Sequence, residues 1–416
     1  MSTVTVDADR LWADHLALAD ITDPQRPYTR RSFSSTFLEG RRWLRARFEA
    51  AGLSCHIDPA GNLIGRMAGR GEEAGVIMSG SHSDTVPSGG RFDGISGVLA
   101  ALEAVRAIRD AGIVTRHDIA VVDFLAEEPS DFGLSCIGSR GMSGQLTAEH
   151  LMLAAPWGEK LDVALGRMGG CATSLDPSSS RDIIAFFELH IEQGRVLEDA
   201  GVPIGIVEAI AGITRIEILL EGQADHAGTT PMGLRHDAAV AAAMIIQDVA
   251  HIAARLASER EGYITATTGV VEILPNAANV VPRQARLVVD LRVSRRTTAE
   301  IFLAELRATV GRAVEAARIR SGTCGIISDT LPVRCDAGLC DILRDAATVR
   351  GLASRTMVSG AGHDAAMMAA IAPSAMLFVP CRDGRSHDPQ EWAEAGDLAR
   401  GAQVLTDALL ARDLLA

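Results

Sequence analysis

Short apolar segments alternate with amphipathic ones along much of this chain, and this alternation limits the possible folds more than any other feature. Residues 119–125 are apolar apart from Asp123, which is typical of a strand buried on both faces. Residues 37–51 are amphipathic and are followed by Gly52, a common helix stop. Short strands are predicted at residues 54–57 and 63–67, on either side of the turn 58–61. Strands that alternate with helices predict an α/β fold, with a central mixed sheet flanked by helices.

The pattern changes near Gly212, where a second kind of unit is predicted. Its segments follow in the order β-α-β-β-α-β, at residues 214–220, 237–256, 264–271, 286–293, 298–318 and 322–328. That order is the one found in ferredoxin-like sandwiches. We therefore predict a catalytic domain made of residues 1–211 and 330–416, with residues 212–329 inserted as a ferredoxin-like lid. This insert offers an uncovered helix pair and a free sheet edge. We therefore expect it to form the contact between the subunits of a homodimer.

Composition excludes several classes of protein and partner. The 416 residues carry a formal net charge of −13, which argues against nucleic acid or an anionic membrane surface as a partner. Seven cysteines without CxxC spacing suggest neither a disulfide framework nor a structural zinc site, as in a reducing cytoplasm. The longest apolar run, residues 365–380, contains Pro373 and is too short to cross a membrane. No signal peptide is visible, so we expect a soluble cytoplasmic protein.

The stretch Gly80-Ser-His82-Ser-Asp84 has the character of a metal site. It follows a predicted buried strand, and residues two apart on an extended segment point to the same side. Asp84 is therefore expected to hydrogen-bond the His82 imidazole, as carboxylates commonly do for metal-bound histidines. Asp93 follows between glycines that allow the backbone to fold back tightly.

Further polar side chains follow other predicted strands. Glu127 and Glu128 come after one apolar strand, His190 ends a second, and His387 follows a third. Ligands of open α/β sheets gather at the carboxyl ends of strands. Taken singly, the acids could be a solvated loop pair and each histidine a buried, hydrogen-bonded core residue. Chance is a poorer explanation for four strand ends that each supply a histidine or an acid.

Together these positions supply three imidazoles and two carboxylates, from His82, Asp93, Glu128, His190 and His387. Such a set suits two divalent ions, zinc, manganese or cobalt, with one carboxylate bridging them. The remaining acid, Glu127, can act as a general base, so the set predicts hydrolysis by a metal-activated water.

The motifs around these residues are specific in combination. They are GSHSDTVPSGGRFDG (80–94), AEE (126–128), ELHIEQG (188–194), ADHAGTTPM (224–232), PNAANVVP (275–282), DLR (290–292), SGAGHDA (359–365) and SHDPQE (386–391). In them the chain resembles the amidase branch of the M20 metallopeptidase family over nearly its whole length. That branch contains N-carbamoyl-L-amino acid hydrolases, β-ureidopropionases, and allantoate and ureidoglycolate amidohydrolases.

The resemblance implies a role for each matching residue. One metal would be held by His82, Asp93 and His190, and the other by Asp93, Glu128 and His387, with Asp93 bridging. Glu127 would be the general base, and Asp84 would orient His82. The resemblance also implies contacts with the substrate: His226 steadying the oxyanion (from the partner subunit in related dimers), Asn279 and Arg292 holding a carboxylate, and Gln193 and His363 making further contacts.

The implied reaction is hydrolysis of a ureido or amide C–N bond in a small carboxylate, such as an N-carbamoyl-L-amino acid or allantoate. The alternative is an aminoacylase or dipeptidase of the same family, which would cleave an N-acyl or peptide bond. A non-catalytic binding protein would be expected to lack Glu127 or a ligand, and none is missing. Asp131 stands where the family usually has arginine, and Arg195 where the branch commonly has proline. These departures concern the substrate pocket more than the chemistry.

Overall fold

The computed structural model describes residues 4–71, 75–176, 180–259 and 262–415. Its helices are α1 (Ala8–Ala19), α2 (Ser35–Ala50), α3 (Ile95–Asp110), α4 (Ile137–Met142), α5 (Ala148–Leu151), α6 (Leu161–Arg167), α7 (Val196–Ala200), α8 (Ala238–Ser258), α9 (Arg296–Ala316), α10 (Ala337–Val349), α11 (Asp364–Met368) and α12 (Ala395–Leu414). Its strands are β1 (Ser54–Ile57), β2 (Leu63–Met67), β3 (Val76–His82), β4 (Asp118–Phe124), β5 (Ile183–Ile191), β6 (Ile204–Ile210), β7 (Gly212–Glu221), β8 (Ile264–Leu274), β9 (Gln284–Val293), β10 (Ser321–Asp329), β11 (Val333–Arg334), β12 (Ser354–Ser359) and β13 (Ser374–Val379).

The chain separates into two compact units. The first contains Met1–Glu208, Arg334–Met357 and His363–Ala416, and the second contains Ala209–Val333 and Val358–Gly362. The short segment Val358–Gly362 differs from the sequence prediction, which assigned it to the catalytic domain. It begins with the last two residues of β12, a strand for which the sequence pattern gave no signal.

The first unit is built on a nine-stranded sheet of order β1-β2-β4-β3-β5-β13-β6-β11, with β12 also paired to β6. The central strands β4, β3, β5 and β13 are mutually parallel, whereas β1, β2 and β6 pair antiparallel. The predicted α/β fold with a mixed sheet is therefore confirmed. Because the central strands are parallel, their carboxyl ends lie at one edge of the sheet, which is the edge that carries the candidate site.

Helices cover the sheet and form the core of this unit. Every residue of β3 is buried, and almost all of α3 is buried as well. The apolar side chains of α3 and α12 belong to one core cluster with those of β3, β4, β5 and β13. Burial on both faces explains why these strands are continuously apolar rather than alternating.

The second unit is a four-stranded antiparallel sheet of order β10-β7-β9-β8 with two helices, α8 and α9. Burial alternates strictly along β9, so one face of the sheet is apolar and packs on the helices. Within the described residues, α8 is long and apolar enough to cross a membrane by length and composition alone. Its Ala241, Ile245 and Val249 are buried in the core of this unit, which accounts for that composition.

Candidate metal centre and active site

Four parallel strands deliver the candidate ligands to the same edge of the first unit. His82 is the last residue of β3, and Glu127 and Glu128 follow β4 after a turn at Ala126. His190 lies at the end of β5, and His387 follows β13. Asp93 comes from the loop between β3 and α3.

The ligand atoms form two groups that share Asp93. One group is His82, Asp93 and His190, and the other is Asp93, Glu128 and His387. Asp93 Oδ1 lies 3.6 Å from His82 Nε2 and 3.2 Å from His190 Nε2. His387 Nε2 lies 3.4 Å from Asp93 Oδ2 and 3.0 Å from Glu128 Oε1. Each oxygen of one carboxylate thus faces one group, which is the arrangement that a bridging ligand requires.

Two of the imidazoles are held with Nε2 turned toward Asp93. His82 Nδ1 donates to the backbone carbonyl of Asp84 over 3.0 Å, and His190 Nδ1 donates to that of Ile191 over 2.9 Å. A carbonyl only accepts, so Nδ1 carries the proton of the neutral ring, and in that form Nε2 offers its lone pair to a metal. In the same neutral form His190 Nε2 accepts from the backbone N–H of Gly94 over 3.1 Å.

Asp84 orients its neighbours differently from the sequence prediction. We expected its carboxylate to accept from His82, but the nearer carboxylate oxygen is 3.6 Å from Nδ1 and the backbone carbonyl accepts instead. The carboxylate accepts from the backbone N–H groups of Glu127 and Glu128, each over 3.3 Å. It therefore fixes the turn that presents the proposed base and one ligand.

Glu127 is placed to handle a proton. Its Oε2 is 3.5 Å from His82 Nε2, and the thiol of Cys136 donates to Oε1 over 3.6 Å. Burial raises its pKa well above the usual value, and the charges of Glu128 and Asp364 add to the effect. Cys136 was not among the predicted residues, because its nine-residue separation from Glu127 matches no motif.

The electrostatics of the cluster fit a divalent metal. Burial raises the pKa of Asp84 as well, with Glu128 contributing. Asp93 behaves in the opposite way: burial opposes its ionisation, but His190 and His387 outweigh it and lower its pKa well below the usual value. Buried carboxylates that repel one another are stabilised by a nearby cation. Imidazole nitrogens and carboxylate oxygens are ligands of zinc, manganese and cobalt, so the residues suit divalent metal binding.

Gln193 and His363 also lie at the centre. Gln193 Nε2 donates to Asp93 Oδ2 over 2.5 Å, so in this structure it contacts a candidate ligand. The His363 ring packs edge-on against that of His190, with centroids 4.6 Å apart. Burial lowers the pKa of His363 well below its usual value, so its imidazole is neutral. Their predicted contacts with substrate stay predictions.

The remaining predicted residues, His226, Asn279 and Arg292, belong to the second unit. A backbone hydrogen bond joins the segments that carry His226 and Asn279: the N–H of Ala227 donates to the carbonyl of Asn279 over 2.9 Å. Both side chains are exposed. Arg292 donates from Nε to Asp290 over 2.8 Å and from Nη1 to the Gly360 carbonyl over 2.7 Å.

The two departures from the family pattern have partners of their own. Asp131 pairs with Arg31 over 2.6 Å, and the same guanidinium donates to the carbonyl of Pro129. The negative charge of Asp131, three residues after Glu128, is therefore matched by a cation from another segment. Arg195 is exposed and pairs with Asp199 across one turn of α7.

The sequence reasoning also gave no role to Ser386 and Glu391, although both fall in the motif 386–391. Ser386 Oγ donates toward Asp93, and Glu391 accepts from the backbone around Asp93. No local signal could have identified them, because the groups they contact lie about 300 residues earlier in the chain.

Comparison with known proteins agrees with this architecture. Residues 78–411 match the model of peptidase family M20/M25/M40. The chain is 37% identical to an N-carbamoyl-L-amino acid amidohydrolase from Geobacillus stearothermophilus, covering 96% of this chain and 97% of that protein. It is 33% identical to an allantoate amidohydrolase from Bacillus subtilis, covering 92% of both.

A solved structure shows the same fold. It is an amidase of the hydantoinase/carbamoylase family from Burkholderia multivorans, with a TM-score of 0.92, 35% identity and 99% coverage of both chains. The resemblance seen in the motifs is confirmed by these similarities. This chain belongs to peptidase family M20/M25/M40.

Proposed function

We propose that this protein is a dimetal amidohydrolase that cleaves a ureido or amide C–N bond in a small carboxylate. The substrates we expect first are N-carbamoyl-L-amino acids and related ureido acids such as allantoate. The observation that carries the proposal is the pair of ligand groups sharing Asp93 beside the buried carboxyl group of Glu127. The similarity to amidohydrolases of both kinds over nearly the whole chain supports the substrate class.

Two divalent ions, zinc, manganese or cobalt, would be held by His82, Asp93, Glu128, His190 and His387. When bound, they supply Lewis acidity, which lowers the pKa of water and polarises a carbonyl group. Glu127 accepts the proton of the attacking water and returns it to the leaving nitrogen. Burial and the charges of Glu128 and Asp364 raise the pKa of this carboxyl group, which favours holding the proton between the two transfers.

The substrate contacts are proposed from the resemblance. Arg292 and Asn279 hold the substrate carboxylate, for which a guanidinium fork is well suited. His226 donates to the oxyanion that develops during attack. Gln193 and His363 complete the contacts. We further propose that the ferredoxin-like second unit is both a lid and a homodimer contact, and that the enzyme works in the cytoplasm.

A substrate panel tests the proposal. Metal-loaded protein is incubated with N-carbamoyl-L-amino acids, β-ureidopropionate, allantoate and N-acetyl-amino acids, and both ammonia and free amine are measured. Ammonia from a ureido substrate is the expected result. Amine without ammonia would favour the alternative, an aminoacylase or dipeptidase. If the metal-bound protein releases neither ammonia nor free amine from any of these substrates, the proposed substrate class is contradicted.

The variant Glu127→Gln separates chemistry from metal binding. It keeps the size of the side chain and removes the proton acceptor, so kcat should fall by about 100- to 10,000-fold. Metal content, measured by elemental analysis of the dialysed protein, should stay at the parent level. A variant that lost its metals as well would show that Glu127 is a ligand and not the base.

A further inference from the structure

The buried carboxyl group of Glu391 holds the loop that carries Asp93. Glu391 is fully buried, and its Oε1 accepts from three consecutive backbone N–H groups. These are the N–H groups of Arg91, Phe92 and Asp93, at 2.8, 2.6 and 3.1 Å. One carboxyl oxygen thus fixes three consecutive peptide groups of the loop.

The same side chain also reaches the segment that carries His387. Glu391 Oε2 accepts from Ser386 Oγ over 3.0 Å, and that hydroxyl also approaches Asp93 Oδ2. The hydroxyl has one proton, so it donates to one of the two carboxylates at a time. Through these contacts Glu391 joins the segments that supply Asp93 and His387, which are otherwise almost 300 residues apart.

The residues between β3 and α3 are in neither helix nor strand, and separate contacts hold them. Gly89 N–H donates to the Tyr28 carbonyl over 3.2 Å, and Phe92 is buried. The bonds to Glu391 add the backbone N–H of Asp93 itself. Gly90 has a φ of +114°, and a Cβ there would overlap the Glu391 carboxylate. The glycine thus allows the backbone to close around the carboxylate.

We infer that Glu391 is a positioning residue of the metal centre: it fixes Asp93 relative to His387 and thereby sets the affinity for metal. The inference rests on the metal centre of the proposed function. Because Asp93 faces both ligand groups, a shift of its loop changes both sets of distances at once. Groups that support metal ligands in this way typically contribute about 10- to 100-fold to affinity.

The chain offers a matched control for a merely structural role. Asp413 is also a buried carboxylate that accepts from consecutive backbone N–H groups, those of Arg116 and His117 at 2.8 to 3.0 Å. Its hydrogen bonds go to the backbone of Arg116 and to the backbone and imidazole of His117, none of which is a candidate ligand. Asp413→Asn should therefore reduce stability without changing affinity for metal.

The test compares Zn²⁺ affinity of the full-length parent, Glu391→Gln, Ser386→Ala and Asp413→Asn. Metal-free protein is titrated with Zn²⁺ in competition with a chromophoric chelator, and the visible absorption of the Co²⁺-loaded protein reports ligand geometry. Thermal unfolding of the metal-free proteins measures stability separately. The expected result is about 10- to 100-fold weaker Zn²⁺ binding and an altered Co²⁺ spectrum in Glu391→Gln. Ser386→Ala should show a smaller loss, and Asp413→Asn none.

The remaining outcomes contradict either the inference about Glu391 or the metal centre itself. Parent-level Zn²⁺ affinity in a folded Glu391→Gln would overturn the inference and leave the proposed function intact. Equal losses in Glu391→Gln and Asp413→Asn would overturn it too, because general destabilisation would then explain both. If Glu391→Gln does not fold, unchanged affinity in Ser386→Ala overturns it. Absence of stoichiometric Zn²⁺ binding by the parent would overturn the metal centre itself.

Discussion

Three residues at the centre adopt a backbone conformation that side chains other than glycine seldom take. Ala126, Gln193 and His387 have φ values of 54°, 58° and 57°. Each follows a central strand and turns the chain sharply, so that Glu127, Gln193 and His387 face the same edge of the sheet. Such conformations cost roughly 1–3 kcal/mol each and persist where the surroundings enforce them. Here the enforcing contacts include those from Asp84 to the turn after Ala126.

The hydrogen bond from Cys136 to Glu127 leads to a testable prediction. Its thiol donates to Glu127 Oε1, which orients the proposed base. Cys136→Ala removes the donor and should lower kcat about fivefold, corresponding to about 1 kcal/mol for one hydrogen bond. Cys136→Ser keeps a donor and should retain more activity. Steady-state kinetics check both, with the exposed Cys171→Ala as control. Equal kcat values for the alanine and serine variants would contradict the role.

The sequence indicated some residues of the centre and missed others for a physical reason. His82, Glu128 and His190 could be predicted because each sits at the end of an apolar strand, and strand ends converge in a parallel sheet. Glu391 and Cys136 act through contacts between distant segments, and no local spacing encodes such contacts. For Asp84 the predicted neighbour was right, but the accepting atom was the backbone carbonyl.

Between elements, α2 is fixed to the sheet by a buried ion pair. Arg41 donates from Nε to the carboxylate of Asp123 on β4 over 2.9 Å, with the two side chains 5% and 0% exposed. Arg41→Ala would leave a buried charge without its partner, so we expect a loss of about 3–5 kcal/mol in the free energy of unfolding. Arg45→Ala, which breaks the exposed pair with Glu49 on the same helix, should cost less than about 1 kcal/mol. Chemical denaturation measures both, and similar losses would contradict this explanation.

Element boundaries were predicted best where turn residues mark them. The predicted strands 54–57 and 63–67 have the observed bounds, because Gly52 and the turn 58–61 limit them. The helix predicted at 37–51 begins two residues earlier, since Ser34 caps it through the N–H of Phe37. Strands β6 and β12 were missed. The burial of β6 is almost continuous, and β12 is mostly half-buried or exposed, so neither shows a clear period of two.

For the whole molecule, metal removal should make stability depend on pH. Burial opposes protonation of His190, but Asp93 outweighs it and raises its pKa to about 9. Hydrogen bonds to Asp93 and Glu128 raise the pKa of His387 to about 10. An unfolded histidine has a pKa of about 6.5, so above that pH the metal-free folded state binds more protons than the unfolded state. Its stability should therefore fall as pH rises from about 6.5 to about 10.

Metal-loaded protein should lose this dependence, because ligand imidazoles are held unprotonated in the folded state. The measurement is the unfolding temperature of chelator-treated and metal-loaded protein at several pH values in that window. His190→Gln should flatten the decline in the metal-free protein. If the unfolding temperature declines equally with and without metal, the imidazoles of His190 and His387 do not bind the metal.

The order of the ligands along the chain has a consequence for biosynthesis. His82 and Asp93 are synthesised first, and His387 and Glu391 follow about 300 residues later. Through most of translation, the nascent polypeptide therefore offers an incomplete set of donors, without the carboxylate that anchors the Asp93 loop. A cation captured at that stage would be held by fewer side chains and exchanged more readily. The complete set of donors thus exists only after synthesis has passed His387, which follows β13, the last strand of the sheet.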